Sequence, residues 1–324
     1  MPPLDFPNAP PWTFGTAAST VLDWCRDLWP MGMWMVTRRF GDDWQVLDLR
    51  VTAYDLERGA MLRWSDSICS RMVAGEGPRV VPDLAQVESY REAPIGRLMP
   101  IQSYVGIPLH DPSGSVFGTL CAIDPNIQQG HLQGLQPTLE LVAGLLSSVL
   151  NAEVARDELQ RSVDRVESRV KADALTGLWS REGWNEQLAR AAQRASGIGD
   201  QFVVAIVDLD DLSRVNETVG YSSGDSLLRE AGRALRSVVG TTGVAARLGG
   251  DEFGLLLPAT LDVPPRAFAA TVREALFAAG VSASVGVSAY RWPMSAGEAA
   301  AAADAHLYAE KLRRQIQREA SPVG

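Results

Sequence analysis

The chain has 324 residues, 46% of them hydrophobic and 21% charged, and a formal net charge of -9. That length accommodates two domains of ordinary size with real cores. The acidic balance argues against general nucleic-acid binding, because phosphate backbones attract basic surfaces. It leaves room for a nucleotide whose phosphates a metal neutralises. The cysteines Cys25, Cys69 and Cys121 match no zinc spacing, and their odd count suggests buried reduced thiols rather than a disulfide framework. The start, MPPLDFPNAPPWTF, has neither a basic stretch nor an apolar core, and no long unbroken apolar run follows. The expectation is a cytoplasmic protein without signal peptide or membrane segment.

Residues 1–16 are rich in proline and read as a flexible arm. A globular region, 17–134, follows. Its clearest element is Ser103–Leu109, the turn Asp111-Pro-Ser-Gly114, then Val116–Ile123: two β-rich runs around a Pro/Gly turn, which predict a hairpin. Arg79–Asp83 reads as another short strand end. The run YVGIPLHDPSGSVFGTLCAID resembles a GAF domain, a small sensory α+β module with an antiparallel sheet. Six of the nine tryptophans, Trp12, Trp24, Trp29, Trp34, Trp44 and Trp64, precede residue 65. Either they line a pocket for an unknown small-molecule ligand, or they fill the core.

Residues 135–172 carry a helical pattern. Heptad position a falls at Val142, Val149, Arg156, Val163 and Val170, and position d at Leu145, Ala152, Leu159 and Val166. This seam predicts a parallel two-stranded coiled coil and hence a homodimer. The other reading is one amphipathic helix lying on its own domain.

The second domain, 173–324, reads in order as helix 181–195, strand 202–209, helix 212–239, a hairpin around Gly249, helix 265–279, strand 281–290 and helix 296–317. Val203–Val207 is continuously apolar, as a central strand buried on both faces requires. Val281–Ser288 alternates with period two, as a half-buried strand does. The mixture predicts an α/β sandwich with a mostly antiparallel sheet.

The densest chemistry lies in Arg247-Leu-Gly-Gly-Asp-Glu-Phe253. Gly249 and Gly250 permit a tight turn, and Asp251 and Glu252 place two acids at a hairpin tip. The buried strand ends in Asp208-Leu209-Asp210-Asp211, where an acid reaches the same spot as an acid on a neighbouring hairpin. Asp208 and Asp251 are therefore a metal-ligand pair. Their hard oxygens suit Mg²⁺ (or Mn²⁺), with waters and phosphates completing the shell. Asp210 and Asp211 also suit helix N-capping, and Asp211 is read as a cap. The helix start at Asp211, Leu212 and Ser213 offers backbone N–H groups to a triphosphate.

RLGGDEF resembles the signature of the GGDEF family, the diguanylate cyclases, which join two GTP molecules into cyclic di-GMP. The family fold is related to nucleotidyl cyclases and polymerase palm domains. The resemblance implies that Asp208, Asp251 and the Leu209 carbonyl hold metal, and that Glu252 assists with the 3′-hydroxyl or a second metal. It implies that Asn216 and Asp225 read guanine, the carboxylate accepting from N1–H and the 2-amino group. Lys311 is left for phosphate. Asp173-Ala-Leu-Thr-Gly-Leu-Trp-Ser-Arg181 resembles the family's entry motif, and an Asp173–Arg247 pair would carry linker position to the hairpin.

Several positions depart from the family. Leu212 and Ser213 replace Phe-Lys, which removes a phosphate-contacting lysine. Ser180 replaces asparagine and Tyr221 replaces histidine. Arg314, Gln315 and Ile316 stand in place of Gly-Arg-Asn, so Arg313 or Arg314 would have to supply the missing cation. Gly240 and Gly243 occupy the positions of the arginine and aspartate of the product-inhibition site, so no feedback through that site is expected.

The sequence thus predicts a GAF sensor, a coiled-coil linker and a metal-dependent cyclase working as a homodimer on GTP. The competing reading is a degenerate, non-catalytic GTP-binding module that signals through partners.

Overall fold

The computed structural model describes residues 12–128, 130, 132, 134–167, 171–258 and 264–320, with no side-chain account of 161–167 and 317–320. The chain divides into two units. One runs to Leu159 and includes Ser196–Gly199; the other takes Gln160–Ala195 and the chain from Asp200 on.

The first unit opens with α1 (Phe14–Leu28), whose first N–H groups are satisfied by a capping box at Thr13. Most of the arm expected over 1–16 lies outside the described residues, but Phe14–Thr16 already belong to this helix. The strands are β1 (Met33–Phe40), β2 (Asp43–Val51), β3 (Met61–Arg63), β4 (Val80–Val81), β5 (Ser103–His110) and β6 (Val116–Asp124). They form one sheet in the order β3-β2-β1-β6-β5-β4, with every pair antiparallel. The predicted hairpin is β5–β6. Its Asp111 carboxylate accepts from the backbone N–H groups of Ser113 and Ser115, which fixes the turn.

Alternation along the strands sends side chains to two cores. On one face Trp34, Leu120 and Ala122 pack with Phe14 and Leu22 of α1 and with Leu139, Leu146 and Leu150 of α4 (Leu135–Glu167). On the other, Met33, Met35, Trp44 and Cys121 pack with Cys69 and Met72 of α2 (Ile68–Val73) and with Tyr90 of α3 (Glu88–Arg91). Trp34, Trp44 and Trp64 are buried core residues. Trp24 and Trp29 stack edge-on at 5.1 Å between ring centroids. For the three buried tryptophans the core-filling reading holds.

The helix α4 is a core element of this unit in its first half. Of the expected seam, Val142 and Val149 pack partly against its own sheet. The d positions Leu145, Ala152 and Leu159 are exposed, as is Leu141. Val163, Val166 and Val170 lie outside the described side chains. The stretch Leu135–Gln160 is long and apolar enough to cross a membrane by length and composition alone, with a mean hydropathy of 1.3. The sequence expectation of no unbroken apolar run stands beside this: the leucines, valines and alanines raise the mean, while the glycine, the serines and Asn151 interrupt the run.

The second unit carries α5 (Arg181–Ile198, as far as Ala195), β7 (Phe202–Leu209), α6 (Leu212–Val219), α7 (Tyr221–Val239), β8 (Val244–Gly249), β9 (Glu252–Pro258), α8 (Pro265–Ala278), β10 (Ala283–Tyr290) and α9 (Ala296–Ala320). The single helix expected over 212–239 is two, because Gly220 turns the chain at φ 101°. The sheet is antiparallel in the order β10-β7-β9-β8. Val203, Ala205 and Val207 face α7 and α8, whereas Phe202, Val204 and Ile206 face α5 and α9. The apolar strand is thus central, as its composition requires.

The strand β10 is not half-buried. Its small polar face is covered by α9, and Ser284 and Ser288 are buried. Contact there is so close that a Cβ at Gly286 would fall 2.0 Å from the Ala303 carbonyl oxygen and 2.3 Å from the Leu307 nitrogen. Small side chains permit helix-on-sheet packing where the alternation alone predicts solvent.

Candidate active site

Period-two alternation continues Phe202, Val204 and Ile206 to Asp208, so the strand that builds the core also aims a carboxylate toward α9. Register does the rest. Asp208 lies opposite Glu252 on β9 and opposite Ser284 on β10. The Leu209 N–H donates to the Asp251 carbonyl at 3.0 Å, tying the strand end to the hairpin tip. The tip itself turns on Gly249 at φ 145° and Gly250 at φ 53°, values that a side chain disfavours.

A cleft of about 340 Å³ opens there, lined by Asp208, Asp210, Asp211, Asp251, Lys311 and Arg314 among others. Leu209, Leu212 and Ser213 also line it. Lys311 Nζ sits 2.7 Å from Asp208 Oδ2. Arg314 reaches Asp210 Oδ2 at 2.6 Å and Glu310 Oε1 at 3.1 Å. Of the two arginines left open by the sequence, Arg314 thus lines the cleft, whereas Arg313 donates back to the Ala309 carbonyl.

Burial pushes the Asp208 carboxyl above its ordinary value. Lys311 pulls it down, and the neighbouring Asp251 and Asp210 carboxylates add to the rise. Concentrated negative charge with incomplete compensation is what a divalent cation relieves. Among the described residues no group of three or more His, Cys, Asp or Glu side chains could enclose a metal. A cation bound by Asp208, Asp251 and the Leu209 carbonyl would therefore complete its shell with water or phosphate oxygens, as Mg²⁺ commonly does. The donor set fits that use.

The capping reading open for Asp210 is not met, and that made for Asp211 is met in position but not in a side-chain hydrogen bond. Asp210 accepts from Ser282 Oγ at 2.7 Å and Ser284 Oγ at 2.9 Å as well as from Arg314, which turns it toward β10. Asp211 occupies the N-cap position with left-handed φ of 64°, and its side chain makes no cap hydrogen bond. Its carboxylate lies 3.6 Å from Arg214 instead. The left-handed backbone swings the side chain off the N–H groups of α6.

Asn216 sits on α6 against the start of α7. A Cβ at Gly224 would fall 2.0 Å from its Oδ1, one residue before Asp225. The corner at Gly220 therefore brings the Asn216 amide beside Gly224, the residue before Asp225, and neither Asn216 nor Asp225 is among the residues that line the cleft. Asp225 also lies 3.7 Å from Arg229.

Behind the hairpin, Arg247 donates from Nε and Nη2 to the Gly250 carbonyl at 3.0 and 2.8 Å. Its Nη1 lies 3.4 Å from Asp173 Oδ2. Burial works against the Asp173 charge, but hydrogen bonds from Thr176 and the Arg247 guanidinium outweigh it and hold the carboxyl below its ordinary value. Sequence reasoning missed Arg181. It donates to the Leu248 carbonyl and stands 3.3 Å from Glu252 Oε2, so it braces the opposite side of the tip. It also missed the serines that hold Asp210. Both depend on contacts between distant segments that no local pattern marks.

Residues 170–317 match the family model described as diguanylate cyclase, GGDEF domain, and residues 17–150 match that of the GAF domain. The chain is 30% identical over 192 residues to the diguanylate cyclase DgcP of Escherichia coli, covering 59% of this chain and 54% of that protein. It is 33% identical over 156 residues to the diguanylate cyclase DgcS of Shewanella oneidensis, covering 47% and 53%. The chain thus spans about half the length of these relatives. A solved sensory box/GGDEF family protein from Caulobacter crescentus is 33% identical, with 44% of this chain and 99% of that one covered and a TM-score of 0.40. With the acid-tipped hairpin, the central strand and the preceding antiparallel-sheet unit all in place, residues 170–317 form a GGDEF domain and residues 17–150 a GAF domain ahead of it.

Proposed function

We propose that the chain is a diguanylate cyclase, condensing two GTP into cyclic di-GMP with release of pyrophosphate. The observation that carries this is the convergence of Asp208 and Asp251 with Lys311 and Arg314 around one cleft at the start of α6. Acids for a cation and cations for phosphate in one place suit phosphoryl transfer. Asn216 and Asp225 select guanine, and the first N–H groups of α6 with Lys311 and Arg314 hold the triphosphate. Asp208, Asp251 and the Leu209 carbonyl would hold Mg²⁺ or Mn²⁺, which neutralises charge developing on the phosphoryl oxygens. Glu252, braced by Arg181, serves the 3′-hydroxyl or a second cation. Ser213 leaves one lysine fewer than the family pattern. Because two cations still line the cleft, that loss does not favour a non-catalytic module.

Each 3′-hydroxyl must attack the other nucleotide's α-phosphate, so two clefts have to face each other. A homodimer through α4 supplies that proximity. The exposed Leu141, Leu145, Ala152 and Leu159 support it, with the d positions rather than Val142 and Val149 as the free seam. The N-terminal unit, 17–134, acts as the sensory input and takes a small-molecule ligand, 135–172 as the linker and 173–324 as the cyclase. A GTP-consuming reaction places the protein in the cytoplasm, and the face of α4 packed on its own sheet supports a role for that helix outside a membrane.

The test is incubation of the chain with GTP and Mg²⁺ or Mn²⁺, with products resolved by mass and chromatography. Cyclic di-GMP from the parent and none from Asp251→Ala supports the reading. GTP bound but unchanged, or product retained in Asp251→Ala, overturns it.

A further inference from the structure

Two of the three cysteines meet inside the N-terminal unit. Cys69 on α2 and Cys121 on β6 are 1% and 0% exposed, and both are free thiols. The Thr119 hydroxyl lies 3.5 Å from Cys69 Sγ and 3.4 Å from Cys121 Sγ. Tyr104 Oη donates to Cys69 Sγ at 3.2 Å, and Cys121 is a further hydrogen-bond partner of Cys69. Thr37 closes the cluster, its Oγ1 2.8 Å from Thr119 Oγ1. The Tyr104 hydroxyl has room only because residue 106 is glycine, where a Cβ would fall 1.9 Å from it.

This is a costly arrangement for a core of Met, Trp and Tyr side chains. Buried hydroxyls and thiols contribute less there than apolar groups of the same size unless they are mutually bonded. The donors also have a common target. Tyr104 Oη and Cys121 serve Cys69 Sγ, with the one Thr119 hydroxyl proton shared between the two sulfurs, and a sulfur that accepts hydrogen bonds is favoured as thiolate. Burial opposes this, yet the balance holds the Cys69 thiol below its ordinary value, while burial drives Cys121 well above. Cys25 makes the contrast, since burial pushes its thiol up to about 12.

We propose that Cys69 and Cys121 form a peroxide-reactive dithiol, with Cys69 the attacking sulfur and Cys121 the resolving one. The Cys69 thiolate attacks one peroxide oxygen, the O–O bond breaks, and the other oxygen leaves as water after taking a proton. Cys69 is then a sulfenic acid. The Cys121 sulfur attacks Cys69 Sγ, the S–O bond breaks, and hydroxide leaves as water with the Cys121 proton. Two thiols are oxidised by two electrons and one peroxide is reduced to two waters. Hydrogen peroxide is close to water in size, and its entry requires the six-residue helix α2 to open locally. The reaction is therefore slower than that of an exposed thiolate. The proposal does not depend on the cyclase reading.

The experiment treats the full chain with excess hydrogen peroxide, unfolds it in the presence of an alkylating agent and counts free thiols. The count is expected to fall from three to one, with a Cys69–Cys121 linked peptide in the digest and recovery of all three thiols on reduction. A Cys25→Ser chain is expected to lose both of its thiols in the same way. Cys121→Ser is expected to stop at a sulfenic acid on Cys69 that dimedone traps; the parent experiment decides the question if that variant does not fold. Persistence of three thiols, a bridge that includes Cys25, or over-oxidation of Cys69 without a bridge overturns the proposal.

Discussion

Lys311 Nζ stands 2.7 Å from Asp208 Oδ2, so a lysine and a proposed metal ligand are each other's partner. With Asp208 as its partner, the ammonium has part of its charge and one of its three donors already engaged and less to offer a triphosphate. A divalent cation arriving at Asp208 therefore frees Lys311 for phosphate. Lys311→Met is expected to bind Mn²⁺ more tightly than the parent when no nucleotide is present. A partly exposed ion pair of about 0.5–1 kcal/mol corresponds to roughly a two- to fivefold gain. Electron paramagnetic resonance of free Mn²⁺ measures it, and unchanged or weaker affinity would contradict the exchange. Turnover should fall in the same variant.

Asp208 also sets a pH dependence. Its carboxyl is raised in the folded protein, so the native state takes up this proton at a higher pH than the unfolded chain does. At neutral pH its charge therefore opposes folding. That opposition fades as pH falls through the raised value. Metal-free Asp208→Asn is expected to melt at a higher temperature than the parent at pH 7, with the difference shrinking in mild acid. A lower melting temperature at pH 7 would show that the Lys311 pair outweighs burial and the neighbouring carboxylates.

Asp173 has the opposite sign. Its carboxyl is depressed, so the stability it contributes is present above the unfolded carboxylate value and is lost as pH falls through the folded one. Asp173→Ala removes acceptors for the Thr176 N–H and hydroxyl, at 2.8 and 2.7 Å. It is expected to cost about 1–2 kcal/mol by denaturant unfolding. Arg247→Ala is expected to leave the fold intact and to make turnover indifferent to deletion of residues 1–134. Regulation unchanged from the parent would remove Arg247 from the coupling.

Asp211 is the one described non-glycine residue with positive φ. Asp tolerates that region better than most residues, and a β-branched side chain does not. Asp211→Gly is expected to be neutral or stabilising by up to about 0.5 kcal/mol, and Asp211→Val to cost about 1–2 kcal/mol. Equal stability of the two variants would show that the backbone relaxes there.

Gly243 is closed to side chains. A Cβ would lie 2.8 Å from both the Leu256 carbonyl oxygen and Val239 Cβ. The double substitution Gly240→Arg with Gly243→Asp, which restores the family's residue types at both positions, is therefore expected to destabilise the second unit by more than about 1 kcal/mol. The parent is expected to show no submicromolar cyclic di-GMP binding at Gly240–Gly243, measured by calorimetry with the cleft occupied by a non-hydrolysable GTP analogue. Tight binding that survives that occupation and protects Gly240–Gly243 from hydrogen exchange would refute it.

Much of the second unit was legible because its signals are local. Val203–Val207 announces a buried strand, and Gly249-Gly250 followed by Asp251 announces an acid-tipped turn. Where the reading failed, long-range contact had the deciding role. The Ser284/Gly286/Ser288 face of β10 looks solvent-exposed by alternation until α9 lies on it. Val142 and Val149 fit a coiled-coil seam equally well as a core face, and only the sheet beneath α4 chooses. Asp210 looks like a cap until Ser282, Ser284 and Arg314 come from more than seventy residues away.

The missing side chain at Gly286 has one more effect. It lets α9 rest directly on the backbone of β10, with Leu307 seated at the contact, so Lys311 and Arg314 are carried into the cleft one and two helical turns beyond a rigid pivot. The point from which both side chains reach is set by a backbone spacing, whatever rotamers they take. A single methyl group at position 286 would tilt the lever and withdraw both charges together, leaving every residue of the acid-tipped hairpin where it is.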